Sequence, residues 1–228
     1  MACIIFHVAR SSSLDCVYVS FPPDFCVWRP EMYQIQGPPM LSNLQKMKDG
    51  IKQPRKRKNN RGASNSNPRR RQVLQLPKKP TTNRKGMIVT DRTGTPITVF
   101  DGASHALSEL NKWKKEDDIA KNGQIKIAVA SCTDKPSFAR QCMDWLVVED
   151  GSTLSSCFDH VEIRPGDKRK HFESLRRITG IPYQEMCFFD DYDLNIETVS
   201  SLGVKCIHTP NGMTKDAWEE ALGIFGLN

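Results

Sequence analysis

Asp190 and Asp191 stand side by side at the end of the apolar run Met186-Cys187-Phe188-Phe189, and the amide of Asn195 follows four residues after the second. Adjacent carboxylates repel each other, so a cation held there is stabilising. A set built only from oxygens (carboxylates, an amide, water) suits Mg2+. The plainer alternative is an acidic loop after a core strand, with Asn195 as a helix cap. The run is too short for a typical helix and is bounded like a buried parallel strand. That places the two carboxylates at a strand's carboxyl end, where open α/β sheets bind their ligands.

Other residues collect at the same kind of position. The strand-like run Ile125–Ala130 stops at Ser131-Cys132-Thr133, Lys168 comes near the start of a helical pattern, and Asp24 follows a β-rich run that ends at Pro22-Pro23. If the strands are parallel, Asp24, Ser131, Thr133, Lys168, Asp190, Asp191 and Asn195 share one edge. The mixture suits phosphate chemistry. Carboxylates hold Mg2+, a hydroxyl and an ammonium take phosphate oxygens, and a further carboxylate can protonate a leaving oxygen.

The elements that must position these groups alternate. Cys16–Phe21 reads as a strand, 24–33 as a loop or short turn, and Met87–Phe100 as a hairpin turning at Asp91-Arg92-Thr93-Gly94. Ala106, Leu107, Leu110 and Trp113 mark an amphipathic helix. After the strand at 125–130 comes a helix with Phe138, Cys142 and Trp145 inward, then a short strand at His160–Ile163. Phe172, Leu175 and Ile178 line the next helix, with Gly180 and Pro182 as its stop. Ile196, Val199 and Leu202 line a helix ended by Gly203, Val204–His208 is a last strand, and Trp218, Leu222 and Phe225 mark a final helix. The alternation predicts an α/β fold, a Rossmann-like parallel sheet with helices on both faces. His171 and His208 read as structural.

Charge divides the 228 residues unevenly. Fifteen of the 33 Lys/Arg but only one of the 26 Asp/Glu lie between Leu41 and Gly86, leaving 18 basic and 25 acidic residues elsewhere. The high pI of about 9.0 therefore belongs to one segment. That segment, 41–86, is poor in apolar residues and reads as a disordered basic insertion between an N-terminal part, 1–40, and the remainder, 87–228. Its clusters Pro54–Lys58 and Pro68–Arg71 resemble nuclear-import or nucleic-acid patches. With no aromatic residue among them, a base-stacking platform is not expected. The eight cysteines show no Cys-x2-Cys metal spacing and several lie in apolar runs, which fits a reducing compartment, cytoplasmic or nuclear. No run reaches the roughly 20 apolar residues of a membrane span, and the apolar run in the first fourteen residues is short for a cleaved targeting segment.

Five segments carry a resemblance: CVWRPEMYQ, TDRTGTPI, IAVASCTD, IRPGDKRKHFESLRRITGIP and MCFFDDYDLNIETVSSLGVKCIHTPNGM. With them, residues Met87 to Phe225 resemble the magnesium-dependent phosphatases of the haloacid dehalogenase (HAD) superfamily. The resemblance implies a HAD-like fold with a small cap region, here carrying the basic insertion, and Mg2+ as cofactor. It implies phosphoryl transfer to an aspartate at the end of the first strand, with a second aspartate two residues later as general acid and then base. By the same resemblance Ser131 is the phosphate-binding hydroxyl with Thr133 beside it. Lys168 steadies the phosphorylated aspartate, and Asp191 is the Mg2+ ligand supported by Asp190 and Asn195. The implied substrates are phosphotyrosine-like or sugar-linked phosphates, on a small molecule or a phosphoprotein.

The first motif of that family reads Asp-x-Asp-x-x-x-Trp. Trp28 sets the register here, so Asp24 matches the second aspartate, as acid/base and Mg2+ ligand, and Pro22 occupies the nucleophile position. A pyrrolidine ring neither attacks phosphorus nor coordinates Mg2+. Three readings stand: a non-catalytic relative that binds Mg2+ or phosphate, a conceptual sequence that is wrong just before Asp24, for instance at an exon junction, or another nucleophile, which nothing adjacent can provide. A separate function class, nucleic-acid binding through 41–86, also stays open.

Overall fold

The computed structural model describes residues 18–21 (backbone alone), 26–43, 87–115 and 125–227. Pro22, Asp24 and nearly all of the basic segment lie outside them. The described residues form a mixed α/β structure with two sheets.

The larger sheet joins β1 (Tyr18–Phe21), β6 (Ile127–Ser131), β7 (His160–Ile163), β8 (Met186–Asp190) and β9 (Lys205–His208) in the order β7-β6-β1-β8-β9, every pair parallel. The five residues of β6 and of β8 are all buried, as expected for strands covered on both faces. Their alternating side chains feed two apolar clusters. Ile127, Val129, Cys187 and Phe189 join the larger one. Ala128, Ala130, Met186 and Phe188 join the smaller. The larger cluster packs with α1 (Asp101–Lys115), α2 (Pro136–Trp145) and α6 (Lys215–Ile224), and takes in the short α3 (Leu154–Cys157). The smaller packs with α4 (Lys168–Thr179) and α5 (Asp193–Ser200).

The second sheet is antiparallel, in the order β2-β5-β4-β3, from β2 (Trp28–Arg29), β3 (Met40–Asn43), β4 (Met87–Thr90) and β5 (Pro96–Val99). The 87–100 hairpin is therefore half of a larger structure. Its partners correct two expectations: residues 28–29, read as loop, are strand, and so are Leu41–Asn43, counted with the basic segment. Neither piece is long enough to show an alternation of its own, and each is held by pairing. Among helices, Ile178 is 52 % exposed and so does not line α4. In α2 the fully buried positions are Ala139, Cys142 and Met143, with Phe138 and Trp145 at the margin.

Asp91 fastens the antiparallel sheet. Its Oδ1 accepts from Thr93 N (2.8 Å), Thr93 Oγ1 (2.7 Å) and Thr95 N (2.9 Å), while Oδ2 accepts from Gln36 N (2.9 Å). Burial pushes its pKa up, but the hydrogen bonds from Gln36, Thr93 and Thr95 outweigh it and hold the carboxyl below its usual 3.8. Its contribution to stability is thus complete above pH 3.8 and is lost as pH falls through the lower native value. Asp91→Asn should lower the urea-unfolding free energy by about 2–3 kcal/mol at neutral pH. The deficit relative to the unsubstituted chain should narrow as the pH is taken below 3.8. A deficit that stays constant down to strong acid contradicts this account.

Candidate active site

Ser131 and Asp190 are the last residues of β6 and β8, on either side of β1, whose last residue Phe21 directly precedes Pro22. The parallel register thus brings the predicted hydroxyl and carboxylate to one edge, around the end of the strand that leads into residues 22–24.

Lys168 reaches that edge from the first turn of α4. Asp167 is the N-cap, accepting from Arg169 N at 2.7 Å, which fixes where the helix begins. Lys168 is 2 % exposed. Its Nζ donates to the Ala130 carbonyl (2.8 Å), lies 3.6 Å from Asp190 Oδ2, and sits 5.7 Å from the Phe188 ring centroid. A solvated surface lysine is thereby excluded. His171, one turn on, is fully buried with Nδ1 2.9 Å from the Asp167 carbonyl and Nε2 3.1 Å from that of Arg164, so it braces the loop before Lys168.

Asp190 is saturated. Oδ1 accepts from Tyr192 N (2.8 Å) and Asn195 Nδ2 (3.1 Å), and Oδ2 accepts from Asn195 Nδ2 (3.1 Å) beside the Lys168 ammonium. Asn195 is not a cap: the N-cap of α5 is Tyr192, without a side-chain bond, and the Asn195 amide turns back to the carboxylate. Asp191 is the opposite case. Its Oδ1 is buried and accepts no hydrogen bond among the described residues. Burial first, then the Asp190 charge, raise its carboxyl to about 7, with Glu31 adding to the rise. The backbone is secured from behind, since His208 Nε2 lies 3.2 Å from the Asp191 carbonyl.

A hard cation fits this donor set. An oxygen with no partner, beside a second carboxylate, is the condition a divalent ion relieves. Among the described residues no group of three or more His, Cys, Asp or Glu is placed to hold a metal. Asp24, the third carboxylate expected from the family resemblance, lies outside them. Ser131 is fully buried and its Oγ accepts from Thr133 N (3.2 Å), leaving its own proton to donate to a ligand. Thr133 Oγ1 accepts from Lys135 N (3.1 Å). A separate cleft of about 860 Å³, lined by Arg29, Phe100, Glu149, Met213 and Lys215 among others, contains none of these residues.

The class that this arrangement defines is the HAD-like hydrolase. Residues 70–226 match the family described as Acid Phosphatase. Magnesium-dependent phosphatase 1 of Homo sapiens is 45 % identical over 137 residues, covering 60 % of this chain and 69 % of that protein. A HAD-like hydrolase superfamily protein of Schizosaccharomyces pombe is 35 % identical over 131 residues, covering 56 % and 69 %. The chain belongs to the acid phosphatase family, among its magnesium-dependent HAD-like members. The family match spans Ser131, Lys168 and Asp190–Asp191 and begins after Pro22 and Asp24.

Two features that sequence reasoning missed bear on the site. Met32 and Lys135 join the antiparallel sheet's first turn to the Ser131 loop, Lys135 Nζ donating to the Met32 carbonyl at 3.0 Å. Cys26 Sγ lies 3.2 Å from Thr209 Oγ1, and Thr209 N donates to the Asp190 carbonyl at 2.8 Å, which ties the end of the first motif to the last. The first carried no spacing signal, because the partners are 103 residues apart.

Removing one member of the buried Lys168–Asp190 pair strands the other. Lys168→Met should cost about 3–5 kcal/mol of unfolding free energy. Lys168→Met combined with Asp190→Asn should cost less than the sum of the single changes. Additive losses in a urea-denaturation cycle would show that the two charges do not depend on each other.

Proposed function

We propose that this chain binds Mg2+ and a phosphomonoester dianion at the edge formed by β1, β6 and β8, and that turnover fails at one position, Pro22. The observation that carries the reading is the contrast at the end of β8: Asp190 fully bonded, Asp191 with a buried oxygen that has no partner among the described residues. Mg2+, when bound, supplies positive charge against the phosphate oxygens and relieves the repulsion between the two carboxylates.

The chain's own residues do the rest. The Ser131 hydroxyl donates to a phosphate oxygen from a buried, pre-set position. Lys168 brings a cation that is already desolvated, so its attraction for a dianion is little weakened by solvent. Asp190 and Asn195 hold that lysine and the Asp191 loop in place, and Thr133 supports the Ser131 hydroxyl. Asp24 is assigned the proton transfers: it protonates the leaving oxygen and would later take a proton from the attacking water. What is lacking is the carboxylate that accepts the phosphoryl group. Displacement in line needs a nucleophile placed to within a fraction of an ångström, and a proline ring has none to offer.

The Rossmann-like reading of the fold supports this assignment, since in the larger, all-parallel sheet Ser131 and Asp190 end the strands on either side of β1. Magnesium-dependent phosphatase 1, by its name, is a phosphatase that uses Mg2+. We extend that to phosphotyrosine-like or sugar-linked phosphates as the ligand class here.

Hydrolysis of a small aryl phosphate tests the reading directly. The chain with Pro22 should stay near the uncatalysed rate, and Pro22→Asp should raise it by at least about 100-fold, dependent on Mg2+. Calorimetry of the unsubstituted chain should show Mg2+ binding that weakens about 100-fold in Asp191→Asn. Robust Mg2+-dependent turnover with Pro22 in place refutes the assignment of the nucleophile position. Mg2+ binding unaffected by Asp191→Asn refutes the metal site.

A further inference from the structure

Lys135 breaks a local rule. It is the N-cap of α2, a position that favours Ser, Thr, Asp or Asn, and its side chain caps nothing. A cation there also meets the positive end of the helix dipole. Pro136 at the start of the helix sets the chain's entry but does not need a lysine before it. Rules of this kind are broken where another contact outweighs the cost.

That contact is with the antiparallel sheet. The half-buried Lys135 ammonium donates to the Met32 carbonyl at 3.0 Å, and no carboxylate pairs with it among the described residues. Met32 belongs to the turn after β2, which is itself closed by Gln34 N donating to the Glu31 carbonyl (2.9 Å) and pinned by Gln36 N to Asp91 (2.9 Å). From the other side, Lys135 N donates to Thr133 Oγ1 (3.1 Å) and Thr133 N donates to Ser131 Oγ (3.2 Å). Alternate residues 131, 133 and 135 are thus linked in series, and the last of them holds the turn. The turn also carries Glu31, whose charge is felt at Asp191.

We propose that Lys135 is a positioning residue that couples the turn at Glu31–Gln36 to the phosphate-binding hydroxyl of Ser131, so that an oxyanion bound at Ser131 also orders the turn. This rests on the reading of Ser131 as a phosphate contact. When the oxyanion engages the Ser131 hydroxyl, it restrains the 131–135 loop, and the Lys135 ammonium transmits that restraint to Met32. By linkage, a turn held in place must in return favour the bound oxyanion by the same factor. Lysine suits the task because its stem can pack while its head makes one directed bond.

Hydrogen exchange on the full chain, in Mg2+ with and without saturating inorganic phosphate, tests the coupling. Phosphate should slow exchange of the peptide spanning 31–36 by about tenfold in the unsubstituted chain. Lys135→Arg should retain that protection. Lys135→Met, which keeps the stem, and Lys135→Gln should both bind phosphate more weakly, and at saturation should leave the turn's exchange unchanged. Equal protection in Lys135→Met or Lys135→Gln overturns the coupling, as does phosphate binding that leaves the turn unprotected in the unsubstituted chain. Calorimetry separates the two levels of the argument: no phosphate binding by the unsubstituted chain sinks the phosphate site and the coupling with it.

Discussion

The burial of the Asp190 charge governs the whole edge of the parallel sheet. A carboxylate with no solvent contact must be matched by donors, because its lost hydration has to be replaced. Lys168, the Asn195 amide and the Tyr192 N–H all converge on it. Each of those donors comes from a different place: the start of α4, the first turn of α5, and the loop between β8 and α5. Satisfying one buried charge therefore fixes three local geometries at once. The Lys168 ammonium, placed over the Phe188 ring and donating to the Ala130 carbonyl, makes the match possible without exposing either group.

Because Asp190 takes the side-chain donors nearby, Oδ1 of its neighbour is left without a hydrogen-bond partner among the described residues. Asp191 follows without an intervening residue, so its carboxylate meets the field of the first in a half-buried setting. Among the described residues only this oxygen and Trp28 Nε1 are buried side-chain polar atoms without a partner, and of the two only Asp191 carries an ionisable group, with a raised pKa. Exceptions of this sort concentrate where a ligand completes the structure. The two aspartates have identical chemistry and different surroundings, divided by how many donors the protein brings to each. Under the proposed alignment, the same logic explains how proline can stand in the nucleophile position with the other groups intact. Ser131, Lys168 and Asp190 are each held by bonds that do not involve residue 22.

Much of this was legible in the sequence, for physical reasons that differ from element to element. Buried parallel strands are continuous apolar runs, so β6 and β8 and the carboxylate at the end of β8 could be read directly. The α4 helix carries a stop signal in Gly180, which adopts φ 76° as its C-cap. The antiparallel sheet was half hidden. The β3 strand offers only Met40 and Leu41 as apolar residues, and its place depends on pairing with β4 across the basic segment. Asp91 looked like an ordinary turn residue, and only the fold shows it accepting from Gln36, 55 residues away. Asn195 could have been a cap or a ligand from its position alone. The direction of its amide, toward Asp190, needed coordinates. Ile178 followed the helical period but lies on the margin of the buried stripe, where period alone does not decide burial.

The register of the first motif rests on more than a sequence pattern. Trp28 is fully buried in the main core and pairs with Val99 across β2 and β5. The two residues before it are clamped as well: Met213 N donates to the Cys26 carbonyl (3.1 Å) and Phe100 N to that of Val27 (2.8 Å). At the other end, Val19 and Ser20 are fixed between β6 and β8 by their pairing with Ile127 and Ala128 and with Cys187 and Phe188. Both ends of the short connection are thus anchored independently, with residues 22–25 between them. Moving Asp24 two places back to serve as nucleophile would pull Trp28 from its place opposite Val99 and break the Cys26 clamp. Removing a large aromatic side chain from a core costs about 3–5 kcal/mol. A new register would have to recover that loss and still align a carboxylate, and Cys26 would then occupy the acid/base position. The packing of Trp28 supports the proposed alignment, in which Pro22 takes the nucleophile position and Asp24 stands two residues on.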